Sequence, residues 1–334
     1  MRSCVHFCNA QRILPAILFV ATSSLGFGQN VPSSSTTGAA PVAAAQNPNQ
    51  IAILRWYRAN EAATFAAGPG AGQVAFDGSN IWVSNSTANT VTKLRASDGT
   101  ALGEFAAGSS PAGMAFDGAD IWVTDQGASS VNKLRASDGT SLGIFRVGSS
   151  PFAAAFDGTN IWVVNLGSNN VTKLRAVDGK VLGTFNVGAS PQGIAFDGTY
   201  IWVANTGDST LTKLRASDGS TVGTLTAGVG PVAIAFDGTN MWVANQGSNN
   251  VTKIRASDGT TVGTFAVGSL PQSVVFDGVY IWVTNFSSNT VTKLRAGDGA
   301  LIGTFPTGPF PEGAAFDAAN VWVVNAGNNT VSKH

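Results

Sequence analysis

Side chains able to act as nucleophiles or as acid–base groups near neutral pH are scarce in this sequence. Both cysteines, Cys4 and Cys8, and one of the two histidines, His6, fall within the first 28 residues, and the other histidine, His334, is the last residue. Serine–histidine or cysteine–histidine nucleophiles and histidine-based zinc sites need an internal histidine held against its partners, so neither is expected. Thirteen of the 19 acidic residues recur at fixed positions, as Asp77 and Asp98 and their equivalents. A residue present in every copy of a repeat is most simply framework, whereas a site needs side chains that appear once. Among the acids that appear once, a carboxylate pair drawn from Asp125, Asp208 and Glu312 is the remaining option for general acid–base work. These three belong to different repeat units, which argues against cooperation between them.

The elements that must position such groups come from a 40-residue unit whose tryptophan recurs at Trp82, Trp122, Trp162, Trp202, Trp242, Trp282 and Trp322. A fixed period of this length is a repeat architecture. In the copy beginning at Gly193, turn signals at Phe196-Asp197-Gly198, Asn205-Thr206-Gly207, Ser217-Asp218-Gly219 and Gly228-Val229-Gly230-Pro231 separate four short stretches rich in Val, Ile, Thr, Phe and Trp. None is long enough for a helix, so each unit is read as a four-stranded antiparallel meander, A to D. Strand B, Ile201 to Asn205, is apolar on both faces and must be covered on both. Strands C and D are more polar. The pattern predicts an all-β fold, a seven-bladed β-propeller of four-stranded antiparallel blades. Residues Ile51 to Gly68 match the second half of a unit and Gly313 to His334 the first half, so the ring is expected to close on its own ends. Either Ile51–Leu54 or Val331–His334 could then supply strand C of the closing blade. An open solenoid would instead need polar caps.

The run Ile-Trp-Val-Ala-Asn-x-Gly-Ser-Asn-x-Val-Thr-Lys-Leu, followed by Val-Gly-Thr-Phe-x-Val-Gly-x-x-Pro-x-Gly-Ile-Ala, resembles the YVTN type of propeller repeat and its NHL relatives. The resemblance covers Ile51 to His334, with Trp where that family often has Tyr. It implies a seven-bladed propeller with strand A lining the central channel, in a family of mixed function that includes surface and secreted proteins. Streptogramin lyases share the fold and use a catalytic histidine; no internal residue here matches it, so the resemblance carries over no such activity.

Residues 1–28 read as a secretory signal peptide, with Arg2 and Arg12 as its positive start, Ile13 to Val20 as a short apolar core and Gly26-Phe27-Gly28 offering small residues for cleavage before Gln29. Residues 29–50 read as a disordered, low-complexity linker, and 51–334 as the propeller. The protein is therefore expected to be secreted or periplasmic, without a membrane span, cofactor or metal, and monomeric. Without Arg2 and Arg12 there are 17 basic and 19 acidic side chains, a net of −2. That balance argues against nucleic acid as a partner. The strand-C ring of Lys93, Lys133, Lys173, Lys213, Lys253, Lys293 and Lys333 is expected on a solvated or ion-paired outer edge. The repeated tryptophans are expected in the core between blades, and the repeated aspartates as acceptors fixing turns.

The copies diverge on one face only, that of the D–A and B–C loops, where function on a rigid scaffold usually sits. Leu270, Phe286 and Phe310 are large apolar residues in consecutive loops of that face and are expected to form one patch, with Glu312 and Gln272 on its channel side. Phe152 and Leu166 make a smaller pair on blade three. The expected function is that of an exported, non-catalytic binding or scaffold module using this face toward a protein or cell-surface glycan. The alternative is an exported enzyme of lyase or lactone-hydrolase type, using carboxylates and a divalent metal in the channel.

Overall fold

The computed structural model describes residues 63–334. The expected signal peptide, the linker and the strand-C alternative Ile51–Leu54 lie outside these residues. Seven four-stranded antiparallel sheets follow one another around a central axis as the blades of a propeller. Blade one runs A (Ala71–Phe76), B (Asn80–Asn85), C (Thr90–Arg95) and D (Ala101–Ala106), and blades two to six repeat that order at 40-residue spacing, blade six ending at Pro306. Blade seven is composite. Pro311–Phe316, Val321–Asn325 and Thr330–Lys333 form its strands A to C, and Ala63–Ala66 pairs antiparallel with Thr330–Lys333 as strand D. The carboxyl end therefore supplies strand C of the closing blade.

Each A–B hairpin is built by one aspartate. In blade five, Asp237 Oδ1 accepts the N–H groups of Thr239 and Asn240, and its Oδ2 accepts the indole N–H of Trp242 at 2.8 Å. The tryptophan is thus fixed by its polar edge while its rings are buried. The core lies between blades: Trp202 of blade four packs with Ile234, Met241, Val243 and Ile254 of blade five, and the other blade pairs repeat this contact. Strand B is covered on both faces because its neighbours are blades, not solvent.

The strand-C lysines depart from expectation. Five of the seven are buried rather than solvated at an outer edge, Lys93, Lys173 and Lys253 being 5%, 6% and 4% exposed, while Lys293 and Lys333 are half-buried and Lys133 keeps an ion pair with Asp120 at 3.0 Å. Lys213 donates to the Ala256 carbonyl of the next blade at 2.7 Å, with its Nζ 4.6 Å from the Trp202 ring centroid and 4.1 Å from that of Tyr200. The reason is register. Trp202 and Lys213 are direct cross-strand partners, so the lysine stem lies along the indole and its charge reaches the next blade. Burial pulls the Lys213 pKa below its ordinary value, against the opposing influence of Asp197 and Asp258. Lys333 makes the same bond across the seam between blades seven and one, donating to the Ala96 carbonyl at 2.9 Å.

The turn glycine of the A–B hairpin has φ near +93° in blades one to six, as at Gly78 and Gly238, and Ala318 takes its place in blade seven at φ +74°. A Cβ costs free energy in that region. Ala318→Gly is expected to raise stability by about 0.5–1 kcal/mol, part of the relief being offset by glycine's freer unfolded chain. A denaturant titration checks this; a lowered midpoint would mean that the Ala318 methyl contributes packing that outweighs the strain.

Candidate functional site

The divergent face has a fixed backbone under its variable side chains. The residue before strand A is left-handed in every blade: Gly70, Ser110, Ser150, Ser190, Gly230, Leu270 and Phe310 have φ between +49° and +77°. In six of the seven, Ser150 excepted, its N–H donates to a side chain of the preceding B–C loop, as Leu270 to Asn249 (2.8 Å) and Phe310 to Asn289 (2.9 Å). Its carbonyl accepts the first N–H after strand B, as from Phe286 to Leu270 and from Ala326 to Phe310, both at 3.0 Å. Asn329 joins the ends of the chain in the same way, accepting from Gly70 at 2.9 Å. The face is a ring of interlocked loops on which single side chains can vary.

Two clusters of such side chains stand out. In the first, Phe286 and Phe310 stack with ring centroids 4.9 Å apart and planes at 21°, and Phe310 is 47% exposed. Leu270, 38% exposed, belongs to the loop bonded to Phe286. The second cluster lines the mouth of the central channel. A cavity of about 250 Å3 is bounded by Gly72, Gln73, Ser84, Ser86, Gln126, Phe152 and Glu312. A second, of about 130 Å3, shares Gln73 and Phe152 with it and is lined further by Gln192 and Gln272. Glu312, Gln272 and Phe152 are thus at the channel. Leu166 sits in the B–C loop of blade three, its N–H donated to the Ser150 carbonyl at 3.0 Å. Gln73 was not legible as a site residue, although it stands once where other blades carry Gly, Ala or Ser (Gly113, Ala153, Ser273).

Glu312 is the carboxylate of this mouth. Its Oε2 lies against Gly72, close enough that a Cβ there would stand 3.1 Å away. No hydrogen bond or ion pair holds its side-chain carboxylate among the described residues, and burial pushes its pKa up. The other single carboxylates are elsewhere. Asp208 caps the Ala189 N–H at 2.5 Å. His334, at the far end of strand C, contacts Ser332 Oγ at 3.0 Å and bonds through its backbone to Val321, at the opposite face of the disc; burial lowers its pKa to about 4. No group of three or more His, Cys, Asp or Glu side chains that could hold a metal occurs among the described residues.

Asp125 replaces the asparagine that ends strand B in the other blades, and it is fully buried. It accepts the Gly108 N–H at 2.9 Å, an approach that only glycine permits because a Cβ at Gly108 would lie 2.0 Å from the carboxyl carbon. Burial raises its pKa to about 6, against the lowering bonds from Gly108 and Ser130. Since the folded pKa exceeds the unfolded one, the penalty is absent below about pH 4, grows through the interval to about 6, and is complete above it. At about 1.36 kcal/mol per pH unit this comes to about 3 kcal/mol. Asp125→Asn is therefore expected to raise the melting temperature by several degrees at pH 7.5 and to change little at pH 4. A gain of the same size at both pH values would contradict the assignment.

No protein-family model matches the chain. No curated protein matches it either. Among solved structures it is similar to hydrazine synthase of Kuenenia stuttgartiensis (TM-score 0.71, 19% identity, 80% of this chain and 95% of that one). It is also similar to a streptogramin B lyase (0.71, 18%, 82% and 96%) and to virginiamycin B lyase from Staphylococcus aureus (0.70, 17%, 82% and 98%). At these identities the likeness establishes the fold. It also corrects the expectation of a non-catalytic protein drawn from the missing histidine and cysteine, because named enzymes share this fold and that inference from inventory does not hold. The chain is a seven-bladed propeller of the architecture seen in YVTN and NHL repeats, built on a fold that also serves a synthase and lyases.

Proposed function

We propose that this chain is an exported, monomeric propeller enzyme of the proton-transfer, lyase-like class, with its site at the channel mouth and Glu312 as general base. The observation that carries this reading is a desolvated carboxylate with no intramolecular partner at the wall of a polar cavity. A raised carboxyl pKa brings a base closer to the pH at which it can both accept and return a proton. In an elimination, Glu312 would take the proton from the carbon beside a carbonyl. The released electron pair forms the double bond, the leaving group departs with its bonding pair, and the proton held by Glu312 passes to it. Side-chain N–H groups of Gln73 and Gln272 are the donors available to the carbonyl oxygen as charge builds there. Glu312 is a single carboxylate among amides at this mouth, and no step is routed through a divalent metal. The export reading rests on the Arg2 and Arg12 segment.

The test is a panel of lactones, esters and cyclic depsipeptides, virginiamycin B included, followed by mass spectrometry. Ring opening by elimination leaves the mass unchanged, whereas hydrolysis adds one water. Glu312→Gln is expected to reduce turnover by about 100-fold or more with an unchanged melting temperature. Turnover undiminished in Glu312→Gln, or no substrate consumed across the panel, would end this reading.

A further inference from the structure

The ring pair beside the channel mouth is a feature that internal packing does not account for. At the left-handed position of the D–A loop five blades carry glycine or serine, whereas blades six and seven carry Leu270 and Phe310 at φ +51° and +55°. That backbone is unfavourable for a large side chain, which persists there when something else is gained. Burial is not the gain, because Leu270 and Phe310 are 38% and 47% exposed. The Phe310 ring is nonetheless held in place. It lies over Gly327, where a Cβ would stand 2.6 Å from it, and stacks on Phe286. Phe286 in turn starts a 3-10 turn, Phe286–Ser288, that no other B–C loop shows among the described residues.

The surroundings of this platform define what fits on it. The loops at 267–272, 286–290, 307–312 and 326–329 contain no Lys or Arg, and Glu312 is their one acid. An anionic polymer would therefore find no counter-charge and would meet a carboxylate of its own sign. On the channel side the side-chain amides of Gln73, Gln192 and Gln272 have no intramolecular hydrogen bond among the described residues, and each presents a donor beside an acceptor. An apolar protein loop laid across them would leave these amides desolvated and unpaired. A ligand with hydroxyl groups on its rim and a C–H face on its ring satisfies both halves. Vicinal hydroxyls match an amide's donor–acceptor pair, and the weakly positive C–H face of a pyranose matches the negative face of an aromatic ring.

We propose that the Phe286–Phe310 platform, with Leu270, and the amide-lined channel mouth form one continuous binding site for a neutral oligosaccharide. One sugar ring lies flat on Phe310, and its neighbour hydrogen-bonds to Gln272 and Gln73. This goes beyond the elimination read for Glu312: a neutral oligosaccharide carries no proton beside a carbonyl to lose, so at the channel mouth it is a bound ligand and not the substrate of that step.

Isothermal titration of the purified chain with cellohexaose, laminarihexaose, xylohexaose and chitohexaose tests it, alongside Phe310→Ser and Glu312→Gln. At least one oligosaccharide is expected to bind at submillimolar concentration, and Phe310→Ser to weaken it at least about tenfold. The melting temperature of Phe310→Ser should not fall, because serine occupies this position in three other blades. Glu312→Gln should keep oligosaccharide affinity within about threefold, so that its loss of turnover on the lactone panel concerns the base and not the platform. Absence of binding across the panel, as a surface for a protein partner would give, overturns the proposal. So does equal affinity in Phe310→Ser. A lowered melting temperature in that variant would assign the ring to packing and overturn it equally.

Discussion

A chain lacking residues 51–68 is expected to lose its single cooperative melting transition. The deletion removes strand D of the closing blade, Ala63–Ala66, and exposes the edge of Thr330–Lys333 that it covers. It also removes Phe65, whose ring lies 5.2 Å from that of Trp322 and packs so closely on blade one that a Cβ at Gly99 would fall 2.0 Å from it. Phe65 is half-buried, and losing its packing costs about 1.5–3 kcal/mol, less than the full cost of a buried phenylalanine. To this are added the Gly68 N–H bond to Asn85 and the ladder bonds of a whole strand. Marginal stability of 5–15 kcal/mol does not absorb that sum readily. Circular dichroism melts and dye binding measure the effect: a broad transition at a much lower temperature with exposed apolar surface is expected. An unchanged melt would show that strand D does not close the ring.

The second large effect is expected at a hairpin aspartate. Asp237→Ala removes the acceptor of two backbone N–H groups and of the Trp242 indole N–H, which becomes a buried donor with no partner. An unsatisfied buried donor costs about 1–3 kcal/mol, and the lost turn bonds add to it, for a total of about 3–4 kcal/mol. Asp237→Asn retains an oxygen for the turn and should cost roughly half as much. Burial pushes the Asp237 carboxyl up, but the N–H donors of Trp242, Asn240 and Thr239 outweigh it and hold the pKa below the ordinary carboxylate range. A depressed folded pKa gives stability that is present above about pH 4 and lost as pH falls through the folded value. The cost of Asp237→Ala should therefore shrink on acidification, as denaturant titrations at pH 7 and pH 3 would show. Equal costs at the two pH values would mean that the charged form plays no part.

The fold was legible because the repeat forces one answer on every copy. A strand apolar on both faces, repeated at 40-residue spacing, can be covered only by its own neighbours, and complementary half-units at the two ends imply closure. The lysines were misread for a related reason. Lys213 between Thr212 and Leu214 looks like the polar face of a half-exposed strand, but in a propeller both faces of strand C meet other blades, and the charge is carried along an indole to a carbonyl 43 residues on. Of the candidate site, the adjacency of Phe286 and Phe310 followed from ring order alone. The place of Gln73 did not, because a glutamine at a small-residue position of strand A reads as drift until the channel is seen to open beside it. Backbone sign was equally hidden: nothing in the letters at 270 and 310 announces a left-handed residue.

The composite blade also bears on how the chain finds its fold. Blades one to six are near-copies, so a nascent ring shifted by one 40-residue unit, or a strand exchanged with a second molecule, would meet almost the same tryptophan, aspartate and lysine contacts as the native one. Repeat proteins fail in this way, by misassembly between look-alike units. In the closed ring Ala63–Ala66 pairs with Thr330–Lys333 across the seam, so the native blade seven is complete only when both ends of the propeller meet in this register. The Ala63–Ala66 strand has four residues, and its register with Thr330–Lys333 sets the number of blades at seven. It serves the chain as a counter, turning an open-ended stack into a closed number.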